Sequence, residues 1–200
     1  EKDRCLLNNI KNHLSSSMLS DIFDDLNIKE KKIITSLKIN IDNKKIFGRA
    51  KTLKLRKIEN GEDFRGIYKA LDSYATIIPN DVIMVENEVS DYAYFGELNA
   101  NLAIRSGAVA AVIGGKTRDN SAVMNLGFPT FSKGYVATDV RKRAVMESMN
   151  APIAIDGVKI NPGDLVFGDA EGILIIPREQ EKMILDEVFK RLMNENSILV

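Results

Sequence analysis

The sequence is poor in the residues that bind soft metals and form covalent cross-links. It contains one cysteine, Cys5, and one histidine, His13, among 200 residues. A single cysteine excludes an internal disulfide, which fits a reducing cytosol. His13 lies in a polar N-terminal stretch, so we expect a surface residue rather than a member of a Ser/His triad. The scarcity of Cys and His disfavours zinc and leaves a hard, oxygen-seeking cation, Mg²⁺ or Mn²⁺, as the metal to consider.

Long apolar runs and an excess of one charge are missing as well. No apolar run approaches the roughly 20 residues that a membrane-spanning helix needs. The first residues, EKDRCLLNNIKNH, lack the apolar core of a signal peptide. Lys and Arg number 28, as do Asp and Glu, so the formal net charge is zero. We therefore expect a cytoplasmic protein with no membrane contact and no nucleic-acid partner.

Enough apolar residues are present for a sizeable core. Hydrophobic residues make up 44% of the chain, and we see no internal repeat, linker or low-complexity tract. Strand-like and helix-like patterns are interspersed along the sequence. We predict one α/β domain over residues 1–200.

The central stretch of the chain predicts a helix followed by a buried strand. In GELNANLAIRS (96–106) apolar residues recur at helical spacing, and Gly107 supplies the positive φ that closes a helix. The run AVAAVIGG (108–115) is apolar without alternation, as in a strand that is buried on both faces. The turn that follows ends in Arg118 and Asp119. It lies at the carboxyl end of the strand, where layered α/β folds bind their ligands.

Amphipathic helices are predicted near both ends of the chain. Serines 15–17 offer N-cap hydroxyls before MLSDIFDDLNI, whose apolar residues form one stripe. Asp21, Asp24 and Asp25 lie mostly off that stripe, and we interpret them as a solvated face, with a metal site as the alternative. The segment REQEKMILDEVFKRLMNEN predicts a docking helix whose distal end is free to pack against another subunit.

Strand signals dominate the first third of the chain after the serines. KKIITSLKINI and KKIFGRAKTLKLRKI predict strands around a turn at Asp42-Asn43. Residues 44–57 are the most basic in the chain, and we considered an RNA-binding face. Phe47 is their only aromatic residue, whereas single-strand binding uses several stacking platforms, so the wet face of a sheet is favoured. GEDFRGIYKALDSYATII then predicts a helix, and VIMVEN a buried strand.

The last third contains further short elements. NSAVMNLG predicts a helix with Asp119 or Asn120 at its N-cap and Gly127 at its end, and FPTFS predicts a strand. KGYVATDVRKRAVMESMN is polar and is predicted to be irregular. The runs from API to ILIIP, punctuated by Asp-Gly, Pro-Gly-Asp and Glu-Gly turns, predict a compact β-meander.

The turn after the buried strand is the best candidate for chemistry. A neighbouring Arg118 and Asp119 could merely cap a helix, but the first residues of the predicted helix, from Gly96, add N–H donors for a carboxylate or phosphate. VIGGKTRD matches neither nucleotide-binding glycine pattern. Lys116 has no desolvating context, which disfavours a Schiff-base aldolase. A metal-dependent mechanism fits these residues better.

Several motifs together resemble a known family. SxxxSDIFDDL, FGRAKT, FGELNA, RSGAVAAVIGGKTRD, GFPTFSKG and IDGVKINPGDLVFGDAEGILIIP are similar to the 4-hydroxy-4-methyl-2-oxoglutarate aldolase family, which also includes the RraA-like regulators of ribonuclease E activity. The resemblance spans about residues 17–177. It implies a layered β/β/α swivelling-type domain with mixed sheets and N- and C-terminal helices. It also implies a homotrimer or a hexamer, with sites at subunit interfaces.

The resemblance implies roles for individual residues. Arg118 would bind the keto-acid oxygen and stabilise the enolate, and Asp119 would be the direct ligand of Mg²⁺ or Mn²⁺. Glu97 would hold a catalytic water, and the amides of Leu98 and Asn99, next to Gly96, would receive the substrate carboxylate. The implied activity is cleavage of small 4-hydroxy-2-oxo acids to pyruvate by a class II lyase, with oxaloacetate decarboxylation as a side activity. The alternative is a non-catalytic protein that regulates a ribonuclease by protein–protein binding.

The sequence departs from the family pattern at two places. Gly114 and Gly115 replace the usual Asp-Gly before the Arg-Asp pair, which removes a carboxylate that we expect close to the site and bears on substrate identity. Residues 79–81 are Pro-Asn-Asp rather than Pro-Gly-Asp. This second change should affect only the turn, because Asn tolerates positive φ.

Overall fold

The computed structural model describes the backbone of residues 2–198 and the side chains of residues 6–195. The α-helices are α1 (Lys2–Lys11), α2 (Ser16–Asp25), α3 (Glu97–Ser106), α4 (Asn120–Asn125) and α5 (Arg178–Ile198), and one 3₁₀ helix spans Phe64–Thr76. The strands are β1 (Ile33–Ile34), β2 (Lys38–Ile39), β3 (Ile46–Lys57), β4 (Asp81–Asn87), β5 (Ala110–Gly114), β6 (Thr130–Ser132), β7 (Ala144–Met149), β8 (Ile153–Ile155), β9 (Val158–Ile160), β10 (Leu165–Asp169) and β11 (Gly172–Ile176).

One mixed sheet of nine strands forms the centre of the fold. Its order is β1–β11–β10–β3–β4–β5–β6–β2, with β7 beside β3. Strands β3 to β6 are parallel to one another, and the outer pairs are antiparallel. Strand β3 is long enough for two partners on one edge, since 46–49 pairs with β10 and 53–57 with β7. The parallel order places the carboxyl ends of β4 and β5 side by side.

Both faces of the parallel strands are buried, because alternate side chains point to opposite layers. In β4, Ile83 and Val85 belong to the cluster under α3 and the 3₁₀ helix, whereas Val82 and Met84 face the β8–β9 hairpin. That hairpin forms a separate two-stranded sheet and buries Ile155 against the main sheet. The order of layers is therefore hairpin, sheet, helices, and the predicted layered α/β fold is confirmed.

A second set of helices covers the antiparallel side of the sheet. Phe23 of α2 and Ile184 of α5 pack with Phe167 of β10 in one cluster, to which α1 adds Leu7 and Ile10. The predicted helices near the two termini are confirmed. Helix α1 was not predicted, because its sequence is largely polar and its few apolar residues find partners only in the folded chain.

Two predictions for the last third of the chain were wrong. The stretch predicted to be irregular contains β7, which forms because the distal half of β3 offers it a free edge. The predicted meander is two hairpins: β10 and β11 join the main sheet, whereas β8 and β9 lie across its face. Turn signals identify hairpins, but the choice of sheet depends on which apolar face a hairpin buries.

The basic segment around β3 lies in the sheet as predicted, and its charges are used within the chain. Arg49 bonds to Glu181 at 2.7 Å, Lys54 to Glu147 at 2.8 Å, and Arg56 to Glu62 at 2.7 Å. The Lys51 ammonium donates to the Thr76 carbonyl at 2.6 Å. Because these cations are bonded to acids and carbonyls of the same chain, they give no support to an RNA-binding face.

Across residues 2–198, no helix combines the length and the apolar character required to cross a lipid bilayer.

We predict that Phe167→Ala lowers the free energy of unfolding by about 3–5 kcal/mol. Phe167 is fully buried, and its ring packs against that of Phe47 in a T-shaped arrangement with centroids 5.9 Å apart. Truncation therefore leaves a cavity between the sheet and the terminal helices. Urea unfolding measures the loss. Met183→Ala, at a side chain that is 45% exposed, is the control and should change stability by no more than about 0.5 kcal/mol. Similar values for the two variants would contradict the assigned packing.

Candidate active site

A cavity of about 220 Å³ lies at the carboxyl ends of β4 and β5. The 3₁₀ helix, the start of α3, the turn after β5 and the loop before β7 each contribute to its lining: Ile67, Tyr68, Ala70, Leu71, Tyr94, Gly96, Leu98, Asn99, Arg118, Asp119, Asp139, Val140 and Arg141. Pockets for drug-sized ligands usually measure roughly 300–1,000 Å³. The cavity therefore suits a small molecule.

Backbone hydrogen bonds hold the two loops of the site side by side. The N–H of Tyr94 donates to the carbonyl of Lys116 at 3.1 Å, and the N–H of Arg118 donates to the carbonyl of Phe95 at 3.1 Å. Phe95 has a φ of 83°, which costs about 1–3 kcal/mol for a residue other than glycine. Its ring is buried and stacked on Phe128 at 5.9 Å. This packing offsets the strain and fixes the loop that leads into α3.

The Asp119 carboxylate lies at the N-terminus of α3. Its Oδ2 accepts a hydrogen bond from the N–H of Glu97 at 3.2 Å. Asp119 occupies the N-cap position of α4, as predicted, but its φ of 56° turns the side chain away from that helix, which it does not cap. The positive end of the α3 dipole favours a carboxylate here. A backbone amide and a helix dipole thus orient Asp119.

Gly96 is required for this approach. A Cβ at position 96 would lie 2.6 Å from Asp119 Oδ2 and 3.2 Å from Arg118 Cγ. The φ of Gly96 is −148°, a value that any residue adopts, so the constraint is space and not backbone conformation. The absence of a side chain at position 96 allows the two charged residues to reach the helix.

The Arg118 guanidinium is half-exposed and faces the cavity beside a second acid. Its Nη2 lies 3.6 Å from Asp139 Oδ1. Ala93, in the loop after β4, holds the loop that carries Asp139. Its N–H donates to the Thr138 carbonyl at 2.8 Å, and its carbonyl accepts from the Val140 N–H at 3.0 Å. Arg118 is thereby oriented without being buried.

The first turn of α3 provides free amide donors. The first N–H groups of a helix have no acceptor within it, so those of Leu98 and Asn99 can bind an anion. The Leu98 side chain lines the cavity and is 68% exposed. Glu97 donates its backbone N–H to Asp119, and its exposed side chain is not part of the cavity lining. Of the residues predicted for the site, five line one cavity and Glu97 adjoins it.

Two buried tyrosines belong to the surroundings of the cavity, Tyr94 in its lining and Tyr74 behind Asn99. The Tyr74 hydroxyl donates to Asn99 Oδ1 at 2.9 Å, and Tyr94 is 6% exposed and lines the cavity. Burial raises the pKa of both phenols well above the ordinary value. Both phenols stay protonated at neutral pH, and Tyr74 positions Asn99 without adding charge.

Sequence reasoning missed the cavity residues that come from other elements. Tyr68, Asp139 and Arg141 lie far along the chain from the Arg-Asp pair, in segments predicted as a plain helix and an irregular loop. The dense charges of TDVRKR were the only local signal. Nothing in that pattern indicates which of them faces the cavity.

Gly114 does not lie where we expected. Its Cβ would meet the Val85 carbonyl at 2.9 Å and Ile155 at 3.4 Å. Gly114 lines a wider hollow of about 740 Å³ under the β8–β9 hairpin rather than the cavity at Arg118. The expectation of a missing carboxylate close to Arg118 was therefore wrong: a side chain at position 114 would point to the other face of the sheet.

The wider hollow is a weaker candidate for chemistry, because several of its charged side chains are paired with each other. Lys54 contacts Glu147 at 2.8 Å, and Lys133 contacts Asp156 at 2.8 Å. Two of the three acids of α2 are also engaged, Asp24 with Lys31 and Asp25 with Arg191. Within residues 6–195, no group of three or more acid, His or Cys side chains could enclose a metal ion. His13 is exposed, as predicted.

The fold and the cavity define a class: a layered α/β protein with a candidate small-anion site where parallel strands end. The family can be named as well. A family model described as “RraA-like: Aldolase/RraA” matches residues 16–175. The chain belongs to the RraA-like family, as the sequence motifs predicted.

Individual relatives agree with this assignment. The chain is 28% identical over 179 residues to the Halalkalibacterium halodurans protein named “Putative 4-hydroxy-4-methyl-2-oxoglutarate aldolase”, covering 89% of this chain and 80% of that protein. Streptomyces coelicolor RraAS2, described as an unusual member of the RNase ES inhibitor RraA family, has a similar structure with a TM-score of 0.82, 21% identity and coverage of 98% of this chain and 96% of that one.

A third relative has a different description. A structure described as that of novel cellulases from microbes of the gut ecosystem matches with a TM-score of 0.86 and 22% identity, covering 98% of this chain and 87% of that one. At 21–22% identity both solved structures establish the fold alone.

We predict that Gly96→Ala displaces the Asp119 carboxylate from the Glu97 amide and destabilises the fold by about 1–3 kcal/mol. Gly61→Ala is the control: it has open space but a φ of 79°, so it should cost a comparable 1–2 kcal/mol, roughly, through backbone strain. Urea unfolding gives the two losses, and a crystal structure of each variant gives the position of Asp119. An unmoved Asp119 in Gly96→Ala would refute the steric requirement.

Proposed function

We propose that this chain is a divalent-metal-dependent lyase that cleaves 4-hydroxy-2-oxo acids to pyruvate and decarboxylates oxaloacetate as a side activity. One observation carries the proposal: a carboxylate, Asp119, and a guanidinium, Arg118, line the same small cavity as the free amides at the start of α3. The description of the matching family as Aldolase/RraA and the name of the Halalkalibacterium relative support this choice.

The donor chemistry of Asp119 fits Mg²⁺ or Mn²⁺. Oδ2 is turned to the Glu97 amide, and the side chain is exposed, so Oδ1 can reach an ion. Mg²⁺ commonly binds through one or two carboxylates and keeps several waters, which suits a site with a single protein ligand. Asp119 would hold the ion, and the bound ion would act as a Lewis acid toward the 2-oxo group.

Other residues of the cavity would bind the substrate. The amides of Leu98 and Asn99 would bind the C1 carboxylate, and Arg118 would donate to the 2-oxo oxygen. In a retro-aldol cleavage the C4 hydroxyl loses its proton, the C3–C4 bond breaks, and its electron pair forms the pyruvate enolate while C4 becomes a carbonyl. A guanidinium stabilises that oxyanion as its charge develops.

A water held by Glu97 would take the hydroxyl proton and return a proton to C3. Glu97 suits this role because its backbone is fixed at Asp119 while its side chain stays in contact with solvent. Loss of CO₂ from oxaloacetate produces the same enolate. The same groups would therefore serve both reactions.

The proposed assembly is a homotrimer or a hexamer. The rim of the cavity exposes apolar side chains, Leu98 at 68%, Tyr68 at 46% and Leu71 at 42%, and a second copy would bury them. Light scattering coupled to gel filtration tests this proposal. We expect a mass of three or six times 22.3 kDa, and a monomer would contradict it.

A second candidate function is regulation of a ribonuclease through protein–protein contacts. The family description includes RraA, and a protein of similar structure is described within an RNase inhibitor family. Such a protein would use its outer surface instead of the cavity.

We predict that Asp119→Asn lowers kcat/KM for pyruvate release at least 100-fold in the presence of Mg²⁺ or Mn²⁺, because loss of one charge-stabilising group costs about 10²–10³ in rate. Arg118→Met should lower it comparably. A coupled assay with 4-hydroxy-2-oxoglutarate and oxaloacetate measures the rates. Asp91→Asn is the matched control, since Asp91 is an acid whose side chain is 87% exposed and lies outside the cavity.

Two results would decide against the lyase. One is equal activity of the wild type and Asp119→Asn, and the other is no pyruvate from any 4-hydroxy-2-oxo acid tested with either metal. Capture of a ribonuclease by the wild type, undiminished in Arg118→Met, would then favour the regulatory alternative.

A further inference from the structure

Arg141 brings a second guanidinium to the cavity that contains Arg118 and Asp119. It belongs to the loop before β7 and packs against the 3₁₀ helix. Its guanidinium carbon lies 4.7 Å from the centre of the Phe64 ring. Its Nε donates to the Tyr68 hydroxyl at 2.9 Å. An aromatic face and a hydroxyl therefore fix its position.

These contacts leave the charge of Arg141 available. In the described part of the chain its guanidinium has no carboxylate partner within 4.0 Å, unlike Arg118, which faces Asp139 at 3.6 Å. Asp139 is engaged with its other oxygen, which accepts the backbone N–H of Arg141 at 3.0 Å. An aromatic ring attracts a cation without neutralising it. Arg141 is thus a positioned cation at the cavity without an anion.

The two terminal nitrogens of the Arg141 guanidinium suit a carboxylate. Because Nε is bonded to Tyr68, Nη1 and Nη2 form the free edge of the guanidinium, and such an edge binds a carboxylate in a bidentate manner. Arg118 and the α3 amides line the same cavity from other elements, so Arg141 offers a further group there that can bind an anion. One small ligand with two carboxylates would satisfy both positions.

We propose that Arg141 is a specificity-determining residue that binds the second carboxylate of a 2-oxo dicarboxylic acid and thereby favours diacids over monoacids of similar length. The inference rests on the proposed function for the identity of the substrate backbone. It adds the residue that binds the distal carboxylate of the substrate.

The test compares a diacid and a monoacid in wild type and Arg141→Met. For cleavage of 4-hydroxy-2-oxoglutarate we expect KM to rise about 10- to 100-fold with little change in kcat, since a hydrogen-bonded charge contact is lost. For 4-hydroxy-2-oxopentanoate, in which a methyl group replaces the carboxylate, KM should stay within twofold. Lys142→Met is the matched control: it removes the same charge beside the same Phe64 ring, at 5.7 Å, outside the cavity lining.

A binding measurement separates this inference from the lyase proposal. Calorimetry with 2-oxoglutarate and 2-oxopentanoate, neither of which carries the 4-hydroxyl needed for cleavage, should show tighter binding of the diacid to wild type and a loss of that preference in Arg141→Met. If no substrate is cleaved but this preference is present and lost in the variant, the lyase fails and the role of Arg141 stands.

Other outcomes would overturn the role of Arg141. These are equal affinity of the wild type for the two acids, an equal loss for both acids in Arg141→Met, or the same loss in Lys142→Met. Tyr68→Phe keeps the charge and removes the hydroxyl that orients it, so it tests the inference even if Arg141→Met folds poorly. We expect it to weaken diacid binding about threefold to tenfold and to leave monoacid binding unchanged, and unchanged diacid binding would count against the proposal.

Discussion

The contact between the Asp119 carboxylate and the start of α3 is the constraint on which the rest of the site depends. It requires a position without a side chain at Gly96 and a strained but packed Phe95 immediately before it. It also requires the turn after β5 to be bonded to the loop after β4. If any of these is lost, Arg118 and Asp119 are simply two charges on a surface turn.

The sheet makes this contact possible. Parallel pairing of β4 with β5 brings two loops to one edge, and burial of both faces between α3 and the β8–β9 hairpin prevents that edge from shifting. The terminal helices pack on the antiparallel strands, away from the cavity. The core under the terminal helices and the candidate site are therefore separated in space.

The cavity combines two kinds of polar group. Neutral groups, the α3 amides and the Tyr94 phenol, line the same cavity as the charged pair of Arg118 and Asp119. A second cation, Arg141, is held by Phe64 and Tyr68 and has no acid partner among the side chains of residues 6–195. This distribution agrees with the small anionic ligand that we propose.

Sequence patterns alone were sufficient for the core elements and for part of the site. The unbroken apolar run before Gly114, the helical spacing after Gly96 and the adjacent Arg118 and Asp119 are local features, and local features survive in any fold that the chain adopts. Only the tertiary structure placed β7 beside β3, laid the β8–β9 hairpin across the sheet, turned Gly114 away from the cavity and brought Arg141 into it. The physical reason is that those outcomes depend on which apolar face each segment buries against distant strands, and a linear pattern does not specify that partner.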